Sequence, residues 1–196
     1  GYGAEEIISH LERKEYKRKI NYKISVDPTT KNWGKGKAIK YAFENKVLKR
    51  ERIIISYPDD VKLDKYLPIK LLLTHIDAKE RFDIIGTLVL TLGYEFPFGV
   101  AKVKNNFVTE FVEKPLMDTL VSIGMYAFEK EFLDIIDEEV DINEEKAIEF
   151  EERVLPRLAR ENKLYSMFVS HNIWIPVNDM KNYEKAVNIL SSNLLK

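Results

Sequence analysis

The sequence predicts an α/β fold: a mostly parallel sheet with helices on both faces and an added antiparallel hairpin. Strand-like and helix-like stretches alternate through the first half of the chain. The run Ile53-Ile54-Ile55, closed by Pro58, looks like a parallel strand covered on both faces. In the second half, two β-rich stretches flank Lys104-Asn105-Asn106, which reads as a hairpin with an Asn-rich turn.

Each element follows in order. Ile7, Ile8 and Leu11 share one helical face, with Glu5 and Glu6 near the positive end of the helix dipole. Ile20, Tyr22, Ile24 and Val26 alternate, which predicts a strand over 20–26. A polar loop over 27–33 leads through Gly34-Lys35-Gly36 into a helix carrying Ile39, Ala42 and Phe43. After the isoleucine run, Pro68 suits the first position of a helix through Leu71, Leu72 and Ile76. Residues 84–91 and 123–128 read as strands, 132–136 as a helical piece, and 147–159 as a helix broken or kinked at Pro156. A strand over 164–169 and a helix over 178–195 close the chain.

The bulk composition excludes several classes of function. The 196 residues suffice for one full-sized domain, 1–196, with 45% hydrophobic and 32% charged residues. A net charge of -1 favours neither nucleic acid nor an anionic membrane as partner. No run approaches the ~20 apolar residues of a membrane span. The charged, amphipathic start is unlike a signal peptide, so a cytoplasmic setting is expected. With no cysteine, disulfides and thiolate metal sites are excluded.

In parallel sheets ligands sit beyond the carboxyl ends of strands, here the loops 33–37, 57–60, 113–116 and 174–179. Tyr57-Pro58-Asp59-Asp60 puts two carboxylates just past the isoleucine strand. They could hold magnesium beside a phosphate, or could be ordinary turn chemistry. Phe111-Val112-Glu113-Lys114-Pro115 ends a hairpin strand. There Lys could meet a phosphate and Glu a sugar hydroxyl, or both could be a solvated strand end.

Order and spacing together add more. Tyr57-Pro58-Asp59-Asp60, Phe98-Gly99-Val100, Phe111 to Pro115, and Ser122-Ile123-Gly124-Met125-Tyr126-Ala127-Phe128 succeed one another. The helix through Val154-Leu155-Pro156-Arg157-Leu158-Ala159, then Leu164-Tyr165 and Trp174 to Ala186, complete the series. This series resembles the sugar-1-phosphate nucleotidylyltransferases along essentially the whole chain. The resemblance implies a Rossmann-like domain in which a sugar 1-phosphate attacks the α-phosphorus of a nucleoside triphosphate and pyrophosphate leaves. It implies Mg2+ as cofactor with Asp59 as its ligand and Asp59 and Lys114 as the catalytic pair, Lys114 on the sugar phosphate. Glu113 and Ser122 would bind the sugar, while Gly34 and Gly99 would let backbone approach the nucleoside and the sugar.

Departures accompany the likeness. The family's opening Gly-rich loop is absent, and with it a βα unit of at least about 30 residues. Either the chain is a piece of a longer protein or it is a naturally shortened relative. The first is expected, because a sheet without its first strand exposes an apolar edge. Trp174-Ile175-Pro176-Val177-Asn178 carries Pro176 where the family has a second metal-binding aspartate, and Ser122 stands for an asparagine. A rival reading follows from Pro176: a catalytically impaired subunit that binds nucleotide sugar or a partner.

Other candidates have blander readings. His75 is expected at a helix surface or boundary, His10 on a helix surface, and His171 beside the tryptophan loop without a partner histidine. Lys35 and Lys37 read as a plain loop or as charge near the nucleotide. The aromatic stretch 94–98 reads as core, as a sugar-stacking wall or as a homo-oligomer contact, and the acidic run 137–145 as a solvated loop.

Overall fold

The computed structural model of the chain describes residues 3–13, 21–28 and 33–194. These form two compact units, one of residues 1–53 and 128–164, the other of residues 54–127 and 165–196.

The first unit is helical. Helix α1 spans Ala4–Leu11, α2 Lys35–Glu44, α4 Glu131–Glu139 and α5 Phe150–Arg160. Phe150, Val154 and Leu158 recur every fourth residue, so α5 buries one continuous stripe. Pro156 lies inside the helix and outside that stripe. Phe128 stacks on Phe132 with ring centroids 3.9 Å apart, and Phe150 meets both edge-on at 6.2 and 5.7 Å. All three are fully buried. The acidic run is not merely solvated: Arg157 donates to Glu138 and Glu139 at 2.8 Å and to Glu161 at 3.1 Å. Those hydrogen bonds, first that of Glu138, raise the Arg157 pKa further.

The strand expected over 20–26 does not form at residues 21–26. Alternation supplies a face, but a strand also needs a neighbouring edge to bond. Residues 21–28 take part in no sheet, and Ile24 and Val26 are 36% and 42% exposed. The loop positions 29–32, like Ile20, lie outside the described residues.

The second unit is built on a four-stranded sheet in the order β1-β6-β3-β7. Its strands are β1 Ile53–Ser56, β3 Gly86–Glu95, β6 Leu116–Phe128 and β7 Leu164–Val169. A short ladder pairs β2 Asp60–Lys62 with β8 Trp174–Pro176, and β4 Val100–Lys104 pairs with β5 Phe107–Val112; both are antiparallel. Helices α3 Leu67–Arg81 and α6 Met180–Leu194 complete the unit. The core joins Leu67, Leu71, Val89, Ile123, Met125 and Ala127, with Met167, Val169, Ile173 and Trp174 packed against it.

The hairpin follows its turn. Asn105 and Asn106 both adopt positive φ, 49° and 66°, as a two-residue turn matching the strand twist requires. The ribbon is exposed throughout, Phe107 by 74% and Val103 by 64%. The isoleucine strand β1 is not covered on both faces. It lies at the sheet edge, and Ile54 is 38% exposed, so its apolar run overstates its burial.

His75 is also corrected: it is fully buried. Leu67, Leu71, His75 and Ala78 form the buried stripe of α3, and the imidazole Nδ1 lies 2.8 Å from Thr87 Oγ1 on β3. Replacing Thr87 with the isosteric valine removes that partner in the core. Thr87→Val is expected to lower unfolding stability by about 1–3 kcal/mol, measurable by urea denaturation.

Candidate functional site

The candidate site lies where β1 ends. Tyr57 donates its main-chain N–H to Gly124 O at 3.0 Å, joining the turn to the middle of β6. The chain then reverses through Pro58 and Asp59 into β2. Asp60 pairs with Pro176, Val61 with Ile175 and Lys62 with Trp174. Strand alternation puts Asp60 and Lys62 on one face, and their opposed partners share it. Four side chains of different chemistry therefore meet: a carboxylate, an ammonium, an indole and a proline ring.

Asp60 is the inward carboxylate. Its Oδ1 accepts from the Trp174 indole N–H at 3.0 Å, and its Oδ2 lies 3.8 Å from Lys62 Nζ. Lys62 also donates to the carbonyls of Tyr57 at 3.2 Å and Asp60 at 3.4 Å. Gly124 has φ +64°, and a side chain there would lie 2.6 Å from the Tyr57 ring and 2.8 Å from Asp60 Oδ2. Only glycine permits both this left-handed backbone and this approach.

Burial pushes the Asp60 carboxyl above the ordinary 3.8, and nearby Asp59 adds to the rise. The Trp174 bond and the Lys62 charge oppose it. Burial likewise lowers the Lys62 pKa, against the pull of Asp60 and Asp59. An acid with a raised pKa contributes stability present below its unfolded value and lost as pH climbs through the folded one. Asp60→Asn keeps an acceptor for Trp174 without the charge. The variant is expected to gain thermal stability over the parent at neutral pH. That margin should close below 3.8, as melts between about pH 3 and 7 will show.

Asp59 sits on the exposed turn, where its main-chain oxygen accepts from Val177 N at 3.1 Å. Among the described residues, none donates to or ion-pairs with its carboxylate. Ser122 Oγ donates to Tyr126 Oη at 3.1 Å and accepts from Gly124 N at 3.4 Å, so it belongs to the same stretch of β6. Gly99 lies against the Phe111 ring and the Glu113 carboxylate at the base of the hairpin. Lys114 follows, exposed and held at φ 48°. That conformation is uncommon for a lysine, although Lys46 just after α2 shares it at φ 58°. Tyr94 reaches Trp174, with centroids 6.3 Å apart, whereas Phe96 and Phe98 pair with each other nearer the surface.

Gly34 belongs to the first unit, where it precedes α2 and packs against the Ile148 main chain. Lys35 and Lys37 are helix residues, not a loop. Lys35 ion-pairs with Glu149 at 2.6 Å and Glu151 at 3.4 Å, and fully buried Lys37 donates to Glu144 O. His171 opens an exposed turn of 3-10 helix and His10 is exposed on α1.

The likeness to known proteins follows this geometry. A family model described as nucleotidyl transferase matches residues 3–193. The chain belongs to the nucleotidyl transferase family. Among curated relatives, it is 23% identical over 185 residues to glucose-1-phosphate adenylyltransferase of Enterobacter sp. (strain 638). That match covers 84% of this chain and 42% of the relative. The nucleotidyl transferase chain thus spans less than half of that relative's length.

Two solved structures share its fold. One is described as a candidate glucose-1-phosphate thymidylyltransferase of Bacillus anthracis, in complex with a sucrose. Its TM-score is 0.64 at 16% identity, covering 95% of this chain and 71% of that one. The other is HddC of Yersinia pseudotuberculosis, with TM-score 0.59 at 18% identity, covering 96% and 75%. The fold is accordingly α/β and Rossmann-like, with a mostly parallel or mixed central sheet and an added antiparallel hairpin. Among the described residues, no helix is long and apolar enough to cross a membrane.

The residues do not fit a resident two-carboxylate magnesium site. Pro176 stands opposite Asp60 where a second ligand is needed, and the Asp60 oxygens face Trp174 and Lys62. Among the described residues, no three His, Asp or Glu side chains gather where they could hold a metal ion.

Proposed function

We propose that the protein transfers a nucleotidyl group from a nucleoside triphosphate to a sugar 1-phosphate, giving a nucleotide sugar and pyrophosphate. The supporting observation is the Asp59-Asp60 turn, bonded through Asp59 O to Val177, through Asp60 to Trp174 and through Tyr57 N to Gly124. It is a hydrogen-bonded, carboxylate-bearing strand end within a chain matched by the nucleotidyl transferase model. A sugar-phosphate oxygen attacks the α-phosphorus, the bond to the bridging oxygen breaks, and that oxygen leaves with pyrophosphate. Such a transfer needs little covalent chemistry from the protein, so positioning and charge dominate.

In this reading magnesium arrives with the triphosphate as part of the substrate, and the exposed Asp59 carboxylate meets it. Lys114 meets the sugar phosphate as a point charge. Glu113, beside Gly99, and Ser122 accept or donate bonds to the sugar hydroxyls. Substrates this charged suit a cytoplasmic setting.

The full-length protein, incubated with magnesium, a panel of nucleoside triphosphates and a panel of sugar 1-phosphates, tests this by pyrophosphate release. Release with at least one pair is expected. Binding of both substrates with no release from any pair would instead establish a non-catalytic binding subunit, the reading Pro176 favours.

A further inference from the structure

In an antiparallel ladder, directly opposed residues carry their Cβ atoms about 4.5–5.5 Å apart on one face. Asp60 and Pro176 are such a pair. The position best placed to bring a second carboxylate to Asp60 therefore holds a ring with no donor or acceptor. The same face carries a charge of the opposite sign. Lys62 is only 10% exposed, folds back beneath the turn, and donates to the carbonyls of Tyr57 and Asp60 at 3.2 and 3.4 Å. Its Nζ lies 3.8 Å from Asp60 Oδ2. A lysine reaching into this space could have extended to water. Instead the two carbonyls hold its ammonium beside the Asp60 carboxylate.

We infer that Lys62 is the resident cation of this site: its ammonium balances the Asp59-Asp60 pair and fixes the turn in the free protein, and a divalent ion enters only as part of the triphosphate complex. The inference rests on the reading of this strand end as the transfer site. Lys62 is a positioning residue, since its ammonium stands 3.8 Å from Asp60 Oδ2, acts on Asp59 through its charge alone, and does not meet the reacting atoms. A fixed positive charge beside Asp59 and Asp60 repels a bare divalent cation, and that repulsion is strongest at low ionic strength.

The test uses Mn2+ alone, without nucleotide, added to the full-length protein at low salt and followed by the electron paramagnetic resonance of free Mn2+. The parent is expected to bind with a Kd weaker than about 1 mM, as a site short of ligands does. Lys62→Met should tighten Mn2+ binding by about tenfold or more, and Lys62→Arg should return it to the parent value. A tight Mn2+ site in the nucleotide-free parent overturns the inference, as does a folded Lys62→Met with unchanged affinity. If the methionine variant fails to fold, Lys62→Gln carries the same comparison, because its amide can still donate to the carbonyls while lacking the charge. Absence of pyrophosphate release, with these Mn2+ results intact, would remove only the transfer reading. The reverse outcome would remove only the role of Lys62.

Discussion

Truncating Phe132 to alanine is expected to lower unfolding stability by about 3–5 kcal/mol, the largest single-residue stability effect foreseen in this protein. The ring is fully buried, stacked on Phe128 at 3.9 Å with an interplanar angle of 9° and met edge-on by Phe150. Its removal forfeits apolar burial, two aromatic contacts and the filling of a space whose walls are other buried rings and aliphatic chains. Phe132→Leu restores most of the volume and is expected to recover more than half of the loss. Denaturant titration of both variants checks this, and an alanine variant within about 1 kcal/mol of the parent would mean that the cluster collapses without penalty.

The largest functional effect is expected at Asp59. Asp59→Asn preserves size and turn propensity but removes the exposed carboxylate, so the rate of pyrophosphate release should fall by about a hundredfold or more. Its circular dichroism and melting temperature should stay near the parent's, because no side-chain hydrogen bond is lost. Lys114→Ala should act differently. A lysine that grips a ground-state phosphate sets mainly KM for the sugar phosphate. A small effect of Asp59→Asn on kcat would remove Asp59 from the proposed machinery, and an unchanged KM for the sugar phosphate in Lys114→Ala would remove Lys114.

Helices α3 and α5 were legible because each buries a single stripe, Leu67-Leu71-His75-Ala78 and Phe150-Val154-Leu158, and Pro68 stands in the first turn of α3. The hairpin was legible because two consecutive asparagines tolerate the positive φ its turn demands. What local pattern could not reveal was pairing between distant segments. The β2–β8 ladder joins residues more than a hundred positions apart, so nothing near Asp60 announced Trp174 or Pro176 as its neighbours. The same gap hid which carboxylate of Pro58-Asp59-Asp60 turns inward, since alternation begins only where the ladder starts. Lys62 carries no local signal for that reason, and Tyr57 and Gly124 stand out in the sequence only as members of the resembling stretches. His75 did leave a signal: it lies four residues after Leu71 and eight after Leu67, on their stripe. Residue type, which favours an exposed histidine, pointed the wrong way.

The protein has two tryptophans, and they fall one to each compact unit. Trp33 stands edge-on to Tyr41 at 5.5 Å, and Trp174 gives its indole hydrogen to Asp60. Each half of the molecule thus carries its own intrinsic fluorophore. With Trp33 replaced by phenylalanine, all remaining indole emission would arise beside the Asp60 carboxylate, so events at that strand end become optically visible without any added label.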